Sequence, residues 1–297
     1  TKNAIEDAIK IPRFVDMPLL FSKNAGLVIF DLSFELYRQY SDEGNAKFLS
    51  TGTRRSIKRT KNVIAISENA KNEICNFYHL PKDKVRVATP AVDQSYLYRR
   101  SSNEIARVKA KYGIKAKNYI LALSNLEPRK NLQALVDAYC RLPAPQRKDM
   151  ALLLVGVNGW KADALFNEIR LKVAEGYEII RPDNYVSDTD KPAIISGASL
   201  LVYPSHYEGF GMPPLEALAC GVPVITADNS SLPEVVKGVG KMVSVKDGND
   251  ELAVALKKAM EEIDTLQQEA ITSGPARAAE FSWKESAQVF FDIVRDA

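Results

Sequence analysis

Short apolar runs alternate with longer stretches whose apolar residues recur every three to four positions, the rhythm of parallel strands joined by crossover helices. The chain therefore reads as α/β. Runs at 26–30, 62–66 and 84–88 predict strands, with a helix at 68–78 between the last two. The rhythm then stops. Residues 89–118 carry Pro90, a polar Tyr/Arg/Ser stretch and one charged helix at 103–112, the composition of a linker and a lead-in helix. A second series follows: strand 119–124, helix 130–141, strand 151–155, helix 162–173, strand 177–180, helix 191–197, strand 199–203, helix 213–220, and strands 222–226 and 241–244. It makes a complete doubly wound domain. The charged tail from 250 onward predicts at least two more helices, interrupted at Ser273-Gly274-Pro275. The expected division is one α/β domain over 1–100, a second over 101–280, and a closing helix in 281–297 that crosses back to the first. Only about three strands are read in the first domain, against five or six in a full one, so its opening strands are expected upstream.

With 297 residues, 46% of them apolar, the chain can fill two domain cores. The formal net charge of +3 creates no general attraction to nucleic acid, and no such partner is expected. Arg54, Arg55, Lys58 and Arg59 share one helix face, which fits a solvated helix, or contact with an anionic membrane surface or an acidic acceptor. Cys75, Cys140 and Cys220 form no CxxC pair, which argues against a disulfide framework or zinc site and for a reducing, cytoplasmic compartment. No apolar run reaches the length of a membrane span. Trp160 and Trp283 read as packing residues.

In an open parallel sheet, ligands bind outside the carboxyl ends of the strands, so the loops that follow strands are the candidates. After 119–124 comes EPRKN, which brings Arg129 and Lys130 to the start of a helix, either as solvated cations or as a phosphate site. After 199–203 comes PSHYEGFGMPPLEALACG. There Gly209 and Gly211 permit close backbone approach, Pro213 and Pro214 suit a first helical turn, and Gly221 suits its end. Glu208 then lies on the loop and Glu216 one turn into the helix, both directed at the strand-end crevice. Asp188-Thr189-Asp190 looks like a metal-binding DxD but opens a helix, where capping is the favoured reading. Ser231 and Glu234 have the spacing of a capping box.

EGFGMPPLE together with EPRKN resembles glycosyltransferase family 4. NVIAISENAKNEI, GVNGWKADAL, YVSDTD and LEALACGVPVITADNSSLPEV agree with it, in order, from about residue 26 to the end. The resemblance implies two facing Rossmann-like domains, the GT-B architecture, the first of them incomplete here. It implies a retaining hexosyltransferase that needs neither metal nor cofactor. The donor is a nucleotide sugar, GDP-mannose or a UDP-hexose, and the acceptor a glycan or lipid-linked saccharide, in bacterial surface polysaccharide synthesis. By the same resemblance Arg129 and Lys130 hold the diphosphate, Glu216 the ribose, and Glu208 the sugar near its reacting carbon. Gly209, Phe210, Gly211 and Met212 contact sugar and phosphate, and Val186 beside Tyr185 lines the base. Membrane contact through the basic helix would place the enzyme at the inner face of the membrane. One departure stands out: family members often carry His-Asp after the strand matching 26–30, and this chain has Phe30-Asp31. Asp31 is expected to keep part of the acceptor-side role. The alternative is a non-catalytic module of the same fold that binds a nucleotide or supports a neighbour.

Overall fold

The computed structural model describes residues 26–245 and 250–295, and the chain separates into two compact units. The opening 25 residues of the expected first domain lie outside the described residues. Unit 1 holds the described residues up to Ala91, the segment Tyr207–Phe210 and the C-terminal helix; unit 2 holds Val92–His206 and Gly211–Glu280.

In unit 1 three strands, β1 (Gly26–Ile29), β2 (Asn62–Ala65) and β3 (Val85–Val87), pair in parallel in that order. Helix Glu68–Tyr78 fills the β2–β3 crossover; Ser67 caps its start by accepting from the Ala70 amide at 3.0 Å. Its apolar stripe puts Ile74 into a core with Leu27, Ile29, Leu32 and Val63. Helix Trp283–Arg295 packs Ile293 against Ile64 and Ala88. Trp283 itself is 56% exposed, which overturns its reading as a packing residue: it opens the helix, one turn before the first buried position, Ser286.

In unit 2 six parallel strands take the order β6-β5-β4-β7-β8-β9. They are β4 (Asn118–Leu123), β5 (Met150–Val155), β6 (Ile179–Ile180), β7 (Leu200–Tyr203), β8 (Val224–Ala227) and β9 (Lys241–Val243). Because β5, β7 and β8 are buried throughout, they read as continuous apolar runs, not alternations. The strand order reverses between β4 and β7, the topological switch point where such sheets leave a crevice.

Four local expectations give way to the structure. The helix expected at 130–141 is a 3-10 turn, Pro128–Lys130, then Asn131 at φ 54°, then helix Leu132–Cys140. The expected break at 273–275 is absent, since helix Ile263–Ala278 runs through Pro275. There Gly274 presses on helix Met212–Ala219 so closely that a Cβ would lie 2.5 Å from the Leu218 carbonyl oxygen, and this packing outweighs the local propensity to break. Ser231 and Glu234 form no capping box: Ser231 stands at the start of Leu232–Val236 with helical backbone angles, and its side chain makes no cap bond. Asp190 likewise does not cap Lys191–Ser196. Its buried carboxylate accepts from Lys111 Nζ (2.5 Å), Tyr112 Oη (2.9 Å) and Ser187 Oγ (2.9 Å), so it ties this segment to the lead-in helix Ser102–Lys111. Lys111 holds the Asp190 carboxyl below the usual carboxylate range.

Candidate active site

A cavity of about 670 Å³ opens at the carboxyl ends of β4, β5 and β6 in unit 2. Its walls come from Ser124 and Asn125 after β4, Gly156–Asn158 after β5, the segment 181–186 after β6, and the helix that follows β7. That is where the switch-point rule puts a ligand.

Helix Met212–Ala219 delivers Met212, Pro213 and Glu216 to this cavity. Its two prolines occupy the first turn, where their missing N–H groups cost nothing, and Gly211 stands before it. The Gly221 amide donates to Leu218 O and the Val222 amide to Ala217 O, which closes the far end. Glu216 is thereby buried with its carboxylate on the cavity wall, where Oε1 accepts from Lys191 Nζ at 2.6 Å. Burial pushes the Glu216 carboxyl above the usual carboxylate range and Lys191 opposes that shift. Burial also works against the charge on Lys191, but Glu216, Asp188 and Tyr96 together raise its pKa. Val186, buried, and Tyr185, exposed, line the same cavity. In the same segment Arg181 donates to Asn158 Oδ1 at 2.6 Å and lies over the Phe166 ring.

Arg129 and Lys130 stand at the β4–β7 crossover. Lys130 is buried and donates to Tyr203 Oη, the last residue of β7, at 3.0 Å. Arg129 pairs with Glu127 at 2.7 Å, and its carbonyl accepts from the His206 amide. Burial lowers the His206 pKa below the ordinary histidine value, which favours a neutral ring.

Glu208 is buried in the segment Tyr207–Phe210 of unit 1. Beside it, Gly209 meets the turn after β1: a side chain there would overlap the Phe30 carbonyl oxygen and approach Asp31 Cβ to 2.9 Å. Asp31 Oδ1 accepts from the Ser33 amide at 2.8 Å, while the Phe30 side chain is 43% exposed. Phe210 is buried, edge-on to Phe281 at 5.4 Å.

So the structure gathers Glu216, Met212 and Val186 on one cavity, sets Arg129 and Lys130 at the switch point, and groups Glu208, Gly209, Phe210 and Asp31 within unit 1. The sequence reading missed Lys191. Its signal was available: a lysine at the first position of a helix opposes the helix dipole and calls for a compensating carboxylate. In the basic helix Glu43–Arg59, Arg54, Arg55, Lys58 and Arg59 are all exposed, and Arg54 is also engaged within unit 1. It pairs with Glu35 at 3.2 Å and lies over the rings of Phe77 and Tyr78.

These features define an α/β protein with a doubly wound unit and a cavity at its strand ends. The family described as glycosyl transferases group 1 matches residues 104–275, and the chain belongs to it. It is 33% identical over 254 residues to the O-antigen chain mannosyltransferase B of Escherichia coli, covering 86% of this chain and 65% of that protein. It is 31% identical over 238 residues to the serotype-specific mannosyltransferase WbdA of Escherichia coli, covering 78% of this chain and 28% of that one. The chain thus spans less than two thirds of these relatives. Among solved structures, HepE of Anabaena, crystallised with UDP and glucose, superposes with a TM-score of 0.76 at 18% identity, covering 92% of this chain and 72% of HepE. WaaG, a glycosyltransferase involved in lipopolysaccharide biosynthesis, gives 0.75 at 18% identity, covering 98% of this chain and 80% of WaaG. These likenesses show the two-unit GT-B fold that the motifs implied. Among the described residues, no helix is long and apolar enough to cross a membrane.

Proposed function

We propose that the protein transfers a hexose, mannose in the first instance, from a nucleotide sugar to a glycan or lipid-linked saccharide in bacterial surface polysaccharide synthesis. The observation that carries the reading is the strand-end cavity with a buried, lysine-paired Glu216 on its wall, in a chain similar to an O-antigen chain mannosyltransferase and a serotype-specific mannosyltransferase. HepE, crystallised with UDP and with UDP-glucose, supports a nucleotide sugar as the ligand. In this reading Glu216 accepts from the ribose diol, Val186 and Tyr185 border the base, and Arg129 and Lys130 face the diphosphate. Glu208 serves the sugar near its reacting carbon, with Gly209, Phe210, Gly211 and Met212 along the sugar and distal phosphate and Asp31 on the acceptor side.

The chemistry follows from charge. The bond from the anomeric carbon to the diphosphate breaks, the bond from the acceptor oxygen forms on the same face, and the acceptor proton leaves on the departing phosphate. Positive charge grows on the sugar and negative charge on the diphosphate, so fixed cations and helix N-termini stabilise the transition state more than the ground state. Arg129 and Lys130 supply that charge, and transfer is metal-independent and retaining. The exposed Arg54, Arg55, Lys58 and Arg59 hold the enzyme at an anionic membrane on the cytoplasmic side.

The test is release of GDP from GDP-mannose, and of UDP from UDP-glucose, with mannosyl oligosaccharide acceptors, with and without EDTA, and with product anomer read by NMR. Transfer that survives EDTA with retained configuration is expected. Calorimetry showing no binding of GDP, UDP or either sugar nucleotide overturns the reading. Nucleotide binding without transfer supports the non-catalytic alternative that Phe30 in place of histidine favours.

A further inference from the structure

The Tyr207 side chain is 0% exposed, although it immediately precedes Glu208 on a loop. Its hydroxyl donates to Glu73 Oε2 at 2.6 Å and accepts from the Leu32 amide at 3.0 Å. Its ring stacks on Tyr37 with centroids 4.6 Å apart. Burial, with the charges of Glu73 and Asp31 nearby, pushes the phenol pKa far up, which favours the protonated hydroxyl that donates to Glu73. Two residues on, Gly209 packs against the Phe30 carbonyl too closely for a side chain. One phenol hydroxyl and one glycine therefore seat the segment Tyr207–Phe210 on the turn Phe30–Leu32, and Glu208 lies between those two anchors.

We propose that Tyr207 and Glu73 are positioning residues for Glu208: the Glu73–Tyr207–Leu32 hydrogen-bond chain fixes where the Glu208 carboxylate stands relative to Asp31 and the acceptor-side turn. The inference rests on the catalytic role of Glu208 proposed above. A loop carboxylate without such anchoring samples several rotamers, and a displacement of about 1 Å at a reacting centre can cost on the order of 100-fold in rate. The Tyr207 side chain is fully buried, which keeps it from direct contact with a substrate. The effect of both residues passes through Glu208.

The experiment compares Tyr207→Phe, Glu73→Gln, Glu73→Leu and Glu208→Gln in the full chain, measuring kcat and KM for GDP-mannose, calorimetric affinity for GDP, and thermal unfolding. Tyr207→Phe is expected to lower kcat by about 10- to 100-fold with KM and GDP affinity within about threefold. Glu73→Gln keeps an acceptor oxygen and should retain activity. Glu73→Leu removes it, leaves the bond from Leu32 in place, and should lower kcat without loss of folding. In a Glu208→Gln background, Tyr207→Phe should add nothing further, because both act through one carboxylate. Wild-type kcat in Tyr207→Phe and Glu73→Leu overturns the proposal, as does a full additional loss in the double variant. Wild-type activity in Glu208→Gln is a separate result: it removes the catalytic reading of Glu208 itself.

Discussion

Lys191 Nζ donates to Glu216 Oε1 at 2.6 Å, an ion pair of a half-buried lysine with a buried carboxylate on the wall of the candidate donor cavity. In the proposed ribose-binding role an ionised carboxylate is the stronger acceptor for a sugar diol, yet burial raises the Glu216 pKa. Removing one partner of a buried pair leaves the other uncompensated. Lys191→Met should therefore raise KM for GDP-mannose about tenfold, with a smaller effect on kcat, whereas Lys191→Arg should stay near wild type. On the proposed ribose-binding role of Glu216, KM should also rise as pH falls through its raised pKa. In Lys191→Met that rise should begin at higher pH. A KM profile over roughly pH 5 to 9 reads both effects.

Glu208→Gln should lower kcat about 100- to 1000-fold while GDP affinity stays within about threefold. Lys130→Ala should weaken both, since the buried Lys130 charge sits at the crossover proposed for the diphosphate and leaves Tyr203 Oη without that donor. Steady-state kinetics beside calorimetry separates the two patterns.

Away from the site, Glu168 on helix Asp163–Ala174 is pushed up to about 7 from an ordinary 4.5, first by burial, then by its hydrogen bond to Asp137 and the like charge there. A carboxyl whose folded pKa lies above its unfolded value contributes stability below the unfolded pKa, and loses that contribution as pH rises through the folded one. Wild-type resistance to urea should accordingly fall between about pH 4.5 and 7. Glu168→Gln, which is neutral throughout, should show a flatter profile.

Gly274→Leu should destabilise the fold by about 1–3 kcal/mol, because no space exists between helices Ile263–Ala278 and Met212–Ala219 for a side chain. Thermal unfolding measures it. Since the second helix carries Glu216, the variant should also raise KM for the donor.

Helix Glu68–Tyr78 shows why much of the fold could be read without coordinates: its cap Ser67, its apolar stripe and its left-handed closing residue His79 are all local signals within about a dozen positions. The same holds for β4 and β5, whose apolar runs are of strand length. Candidate residues Glu216, Arg129 and Lys130 were legible because turn residues and helix starts mark the ends of strands. The capping box Ser101–Glu104 was equally local, and its S-x-x-E spacing could have been found.

At two of the places where the local reading erred, a distant partner had taken over a residue. Pro275 stays helical because another helix lies against Gly274, and Asp190 binds Lys111 and Tyr112, far away in sequence, instead of capping its own helix. The pairs that matter for the site obey the same rule. Lys191 and Glu216 are 25 positions apart, and Tyr207 and Glu73 are 134 apart. Periodicity and turn chemistry repeat over a few residues and so specify element type and order from the chain alone. Which side chains share a proton or a charge depends on how crossovers return separate strands to one sheet, a relation that exists only after the chain has folded.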